Sequence, residues 1–197
     1  MKETAIIVAT TTEYGIGMDN KIPWDIPEEI RNFRKVTTDS VSNKRNCIIM
    51  GRKTWESLPY KPLPNRMNII ISNTLTQKDI CEYKDTFIKP DFVSAFSYVN
   101  SSEVNDQIDK IFIIGGAQIY NDVLQNYAHL IDKIYLSIIY DKTYKCDAFF
   151  NINRVYDVFD FDKENIHLTE RYMYMIGYNK SHTMKLKFNH VIDENPD

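Results

Sequence analysis

Apolar residues recur along this chain in two rhythms, compact β-branched runs and stripes at helical spacing, and the two alternate over most of its length. The compact runs predict strands over Thr4–Thr10, Asn46–Met50, Asn68–Ser72, Thr86–Lys89, Lys110–Ile114 and Lys133–Tyr140. Ile111–Ile114 is apolar throughout, which suits a strand covered on both faces. The helical stripes predict helices over Pro27–Thr38, Arg52–Leu58, Phe92–Asn100 and Ala117–Tyr127. Strand and helix in alternation give an α/β fold, with a central, mostly parallel mixed sheet of about eight strands and helices on both faces. Beyond Asn151 the rhythm changes to two long Tyr/Met/Lys segments, Ile166–Tyr178 and His182–Val191, separated by Asn179-Lys-Ser181. They predict a C-terminal antiparallel hairpin at the sheet edge. From about residue 192 the chain reads as a tail or linker, and Glu194–Asp197 as a frayed end or the cut end of a longer polypeptide.

A length of 197 residues fits one domain, here taken as residues 1–197. The 24 basic and 27 acidic residues give a net charge of -3 without a basic run, so nucleic acid is not an expected partner. Cys47, Cys81 and Cys146 are odd in number and lack metal-ligand spacing, so no metal is expected, and reduced thiols point to a cytoplasmic setting. The N-terminus has no signal-peptide layout, and no apolar run approaches the ~18 residues that span a bilayer, so no membrane partner is expected.

Three segments carry candidate chemistry. Gly15–Trp24 is a glycine-punctuated loop ending in a bulky aromatic, followed by the helix start Asp25-Ile-Pro-Glu28 and then Glu29. Asp25 suits a cap, Pro27 a first turn, and Glu28 a capping box or dipole compensation. Glu29 differs, because Ile26, Ile30 and Phe33 surround it with apolar neighbours and Phe33 lies one turn on. A carboxylate and a ring projecting together hold a flat heterocycle, the acid at its edge and Phe33 on its face. In the second segment a strand ending at Met50 runs into Gly51-Arg-Lys-Thr54 at a helix start, which favours an anion. Arg52 and Lys53 add charge suited to a phosphate there, although a basic pair at a helix start is more often solvated surface. In the third, Gly115-Gly116 ends a buried strand where backbone must approach a ligand closely. This is not the Gly-x-Gly-x-x-Gly motif of a standard dinucleotide-binding dehydrogenase.

Taken together, Gly15–Trp24 with Glu29, Met50-Gly-Arg-Lys-Thr-Trp55 and Ile113-Ile-Gly-Gly-Ala-Gln-Ile-Tyr120 resemble the dihydrofolate reductase family, from about Ile6 to Phe150. The resemblance implies reduction of 7,8-dihydrofolate to tetrahydrofolate with NADPH, in support of one-carbon metabolism and thymidylate synthesis. It makes Glu29 the acid at the pterin edge, with Ile22 and Trp24 of the loop beside it, and Ser137 standing where Thr is usual. It assigns the substrate wall to Ile7, Val8, Phe33, Leu58, Leu63, Ile114 and Tyr120, and the tail carboxylate to Arg66 of Pro62-Leu-Pro-Asn-Arg66. A guanidinium offers that carboxylate two parallel donors. The cofactor falls to Ala9, Ile16, Gly17, Gly51, Arg52, Lys53 and Thr54. It also falls to Ser72, Asn73, Thr74 and Lys89, and to Gly115, Gly116, Ala117, Gln118, Ile119 and Tyr120. A cis Gly115–Gly116 bond is implied, as is loop support from Asp147. Asn73 stands where many members carry Arg, Ala148 where Thr is usual and Asn151 where Pro is usual, so one loop-holding hydroxyl is missing.

Two other readings share part of this pattern. One is a pyrimidine-intermediate reductase of riboflavin synthesis, disfavoured by Glu29 with Phe33 and by Arg66. The other is a catalytically silent folate- or nucleotide-binding module, disfavoured by low basicity and the full catalytic set. Partners expected from the resemblance are dihydrofolate and antifolates. A covalent fusion to thymidylate synthase in a longer chain stays open, since no motif of that enzyme lies in these residues.

Overall fold

The compact β-branched runs become strands because their alternate side chains serve two cores at once. A computed structural model describes residues 2–41 and 43–182. Its strands are β1 (Thr4–Thr11), β2 (Gly15–Gly17), β3 (Arg45–Gly51), β4 (Arg66–Ile71), β5 (Thr86–Lys89), β6 (Ile108–Ile113) and β7 (Lys133–Ile139). They continue as β8 (Ala148–Phe149), β9 (Phe159–Phe161), β10 (His167–Leu168) and β11 (Tyr172–Asn179). The helices are α1 (Pro27–Thr38), α2 (Arg52–Ser57), α3 (Phe92–Val99), α4 (Ala117–Asn126) and α5 (Ile152–Val158).

The main sheet runs β10-β11-β7-β1-β6-β3-β4-β5, with β9 beside β10 on the same edge of β11. Strands β7, β1, β6, β3, β4 and β5 are parallel, and β11 returns antiparallel to β7. The period of two then sorts residues by face. Ile6 and Val8, Cys47 and Ile49, Met67 and Ile69, and Ile111 and Ile113 join α3, α4 and α5 in one core. Ala5 and Ile7, Ile48 and Met50, Ile70 and Phe112 meet α1 and α2 in the other. Side chains such as Ile49 and Phe112 are fully buried, each worth ~1.5–3 kcal/mol of transfer free energy. Helices on both faces of a mostly parallel sheet are what the alternation predicts.

Some boundaries differ from the sequence reading. β4 begins at Arg66 rather than Asn68, since Arg66 and Met67 are buried and register against Asn46 and Cys47. Asp25 does not cap α1: Ile26 holds that position without a side-chain bond, its place fixed by burial beside Trp24, Ile139 and Tyr172. The antiparallel pair expected at the C-terminal edge is present, formed among the described residues by β10 and β11 along the Ile166–Tyr178 run. Thr169 breaks that run by accepting from the Arg171 and Tyr172 amides at 3.2 and 3.0 Å, and β10 folds back on β11. The remainder of His182–Val191 beyond His182 lies outside the described residues. β2, β8, β9 and α5 are additions, and no helix among the described residues is long and apolar enough to cross a membrane.

Candidate active site

Glu29 stands in the first turn of α1 and is only 8% exposed. Its inward placement follows from Ile26, whose burial pins the helix start, so the residue one turn on faces the same way. From β7 the Ser137 hydroxyl donates to Glu29 Oε1 at 3.2 Å. Burial pushes the Glu29 carboxyl above its ordinary pKa, and the Ser137 bond offsets only part of that rise.

Phe33 and Thr37 follow Glu29 at successive turns of the same stripe. Phe33 packs on the core that contains Ile7, and Leu58, Leu63 and Ile114 pack on that core too. Asn68 fixes Leu63 by donating to its carbonyl and accepting from its amide, both at 3.0 Å. Arg66 lies at the outer end of this wall, 4% exposed, its guanidinium 6.0 Å from the Phe33 ring centre. It donates from Nη1 to Thr37 Oγ1 at 2.6 Å and from Nε to the Pro64 carbonyl at 3.1 Å. Thr37 in turn donates to the Phe33 carbonyl at 2.7 Å. Burial, with the nearby charge of Arg34, pulls the Arg66 pKa down to about 10, so it remains a cation at neutral pH. No carboxylate among the described residues pairs with it.

Val8 and Tyr120 belong to the opposite core, and the Tyr120 hydroxyl crosses to donate to the Ile7 carbonyl at 2.7 Å. The Tyr120 ring also dictates Gly115. That residue has φ +105°, and a Cβ there would lie 2.7 Å from the ring. The Gly115–Gly116 peptide is cis, as the resemblance implies, and the Gly115 carbonyl accepts from the Gly51 amide at 2.7 Å. Gly51 and Gly116 precede α2 and α4, and neither helix has a side-chain cap. The first amides of α4, from Ala117, Gln118 and Ile119, therefore keep donors free of helical partners. A Cβ on Gly116 would come within 3.2 Å of Thr54 Oγ1, and one on Gly51 within 3.1 Å of Ile119. These glycines lie at the carboxyl ends of β3 and β6, where ligands of open α/β sheets bind.

Around these glycines the predicted residues are placed unevenly. Lys53 is exposed, whereas Arg52 pairs with Glu56 at 2.7 Å one turn along α2. The Ser72 hydroxyl accepts from the Thr74 and Leu75 amides at 3.1 and 2.9 Å, which leaves Asn73 and Thr74 exposed at the end of β4. The Lys89 ammonium sits 3.6 Å from the centre of the Tyr98 ring on α3, a cation–π contact.

The loop is anchored at both ends. β2 pairs with β8 through Gly15 opposite Phe149 and Gly17 opposite Ala148, placing Ile16 between them. Asp147 accepts from the Asp19 amide at 3.0 Å and donates its own amide to the Gly17 carbonyl at 2.9 Å. Trp24 is 6% exposed. Ile22 is 63% exposed, and it follows a turn at Asp19 and Asn20 with φ 49° and 58°. Asn151 caps α5 by accepting from the Arg154 amide at 3.3 Å. The residue that sequence reading missed is Thr37. Its spacing of four from Phe33 and eight from Glu29 was the available signal.

A buried acid and a buried, unneutralised arginine flanking one apolar wall, with a glycine cradle beyond, agree with the comparison to known proteins. A family model described as dihydrofolate reductase matches residues 3–180. The chain belongs to the dihydrofolate reductase family. The dihydrofolate reductase of Candida albicans is 41% identical over 124 residues, covering 61% of this chain and 60% of that protein. That of Pneumocystis carinii is 38% identical over 157 residues, 76% of this chain and 74% of that protein. A bifunctional dihydrofolate reductase-thymidylate synthase of Daucus carota is 37% identical over 147 residues, 73% of this chain but 27% of that protein. The chain thus spans about a quarter of the bifunctional relatives it matches and 60% of the Candida protein.

Proposed function

We propose that this chain reduces 7,8-dihydrofolate to 5,6,7,8-tetrahydrofolate with NADPH. The observation that carries the reading is the Glu29 carboxyl, buried against Ser137 on the apolar wall that also holds Phe33 and ends at Arg66.

NADPH, when bound, supplies the hydride for pterin C6. The residues that would hold it are the Gly51 and Gly115-Gly116 backbone, the free amides opening α4, and Arg52, Lys53, Ser72, Asn73 and Thr74. The fit rests on the glycine backbone of Gly51, Gly115 and Gly116 beside the uncapped start of α4. Glu29 receives the pterin edge. Its raised pKa lets the carboxyl keep a proton at a pH where an exposed glutamate has lost it, which supports proton delivery to N5 through a water. Phe33, Ile7 and Ile114 cover the ring faces, and Leu58 and Leu63 the benzoyl group. Arg66, oriented by Thr37 and Pro64, has donors left for the tail carboxylate, and a buried cation without a counter-charge favours such a ligand. Trp24 and the loop tied to Asp147 exclude water over the reacting atoms.

The test is oxidation of NADPH by the purified chain with and without 7,8-dihydrofolate. Oxidation should depend on the folate, and an antifolate should compete with it. Oxidation that ignores dihydrofolate, or none at all, rejects the reading. A fused thymidylate synthase, as the carrot relative's name describes, is decided separately by the size of the intact gene product.

A further inference from the structure

The start of α1 is fixed at two points by the same pair of strands. Ser137 on β7 is one. The other is Arg171, immediately before β11, which donates from Nη2 to the Asp25 carbonyl at 3.0 Å. Asp25 precedes the helical ladder: the first bonds of α1 run from the Glu29 and Ile30 amides to the Ile26 carbonyl, at 3.1 and 3.2 Å. The Asp25 carbonyl therefore lies outside the helix's own bonding, and Arg171 holds it.

Arg171 is itself held. Its Nε and Nη2 both donate to Asp141 Oδ2, at 3.2 and 3.0 Å. Tyr144 donates to the same carboxylate, at 3.1 Å to Oδ1 and 3.2 Å to Oδ2. The Tyr144 ring then meets Trp24 edge-on, with centroids 5.9 Å apart and planes at 71°. Beneath these groups Trp24 and Ile26 are buried with Ile139 and Tyr172, which face each other across the β7–β11 ladder. One network thus touches the last residue of the loop and the residue that opens the acid-bearing helix.

We propose that Arg171, anchored by Asp141 and Tyr144, is a positioning device that sets together where the loop ends at Trp24 and where Glu29 stands. The Arg171 side chain is 41% exposed and that of Asp141 14%, so water screens the pair and its effect on global stability is small. Its effect is geometric: it removes freedom from the Trp24–Ile26 segment that burial alone leaves in the backbone. The proposal rests on the reading of Glu29 as the reaction's acid, but the anchoring itself is measurable without that reading.

Arg171→Met keeps the apolar stem and removes the fork, and Asp141→Asn removes its anchor. Each should lower turnover about 10- to 100-fold, as misplacement of a reacting group does, while KM for dihydrofolate stays within about twofold. The double variant should be no worse than the poorer single, since the two act as one unit. Arg171→Lys, which supplies a charge without the fork, should recover only part. Hydrogen exchange over residues 24–30 should quicken in both single variants while exchange in the sheet is unchanged. Normal turnover in both variants, or additive losses that follow a lowered melting temperature, overturns the proposal. So does unchanged exchange over residues 24–30. If the native chain shows no folate-dependent activity the proposed reaction falls, and the exchange result still decides the anchoring.

Discussion

Glu29 carries a free-energy cost that its chemistry requires. Burial disfavours the carboxylate, so the folded-state pKa lies above the unfolded value of roughly 4.3. Below that value both states hold the proton and the residue's contribution is fully present. As pH rises the unfolded chain ionises first, and stability is lost as pH passes through the folded pKa. Glu29→Gln cannot ionise and keeps an acceptor for Ser137. Its stability relative to the native chain should therefore grow as pH rises from about 4 through the raised Glu29 pKa in denaturant titrations. A difference independent of pH would mean that Glu29 titrates as a solvated side chain. Arg66 shows the converse case, a cation kept buried by Thr37 and Pro64 without a carboxylate. Arg66→Ala should cost ~1.5–3 kcal/mol of folate binding by calorimetry, the worth of a charged hydrogen bond. At this scale the pairing of Glu29 with Phe33 was legible from their spacing and apolar neighbours, whereas Arg66 was picked out by the resemblance of its segment to the family. The Thr37 hydroxyl was not, since its bond to Arg66 joins residues 29 apart and a helix-end threonine has many uses.

Helices and strands place these groups through their ends. The bounds of α1 coincide with the predicted ones because its stripe has a single inward face and proline opens it. β2 and β8 escaped notice because they are three and two residues long and pair across more than a hundred positions. α5 escaped because only Ile152 and Val155 of its seven residues are buried, too few to set a period. The start of α2 bears the cofactor reading. Arg52 is partly engaged by Glu56, so Lys53 is the freer charge beside the glycine cradle. Replacing Arg52 and Lys53 together by Ala should weaken NADPH far more than NADH in fluorescence titrations. Equal weakening would place the 2′-phosphate elsewhere.

Across the whole molecule, the sheet separates two cores. Its α3–α5 side holds one core, and its α1–α2 side holds a second on which Phe33 packs, with Arg66 beside the Phe33 ring and Glu29 one turn earlier on α1. The parallel centre was readable from unbroken apolar runs. The antiparallel C-terminal edge was readable as well, although tyrosines and methionines along Ile166–Tyr178 conceal the turn at Thr169. Rapid-mixing measurement of hydride transfer from NADPH to 7,8-dihydrofolate, comparing the native chain with Glu29→Gln at neutral pH, addresses the chemistry most directly. Hydride transfer should fall by ~10²–10⁴ with NADPH affinity preserved. A rate close to that of the native chain would contradict the assignment of Glu29 as the acid on which the reaction depends.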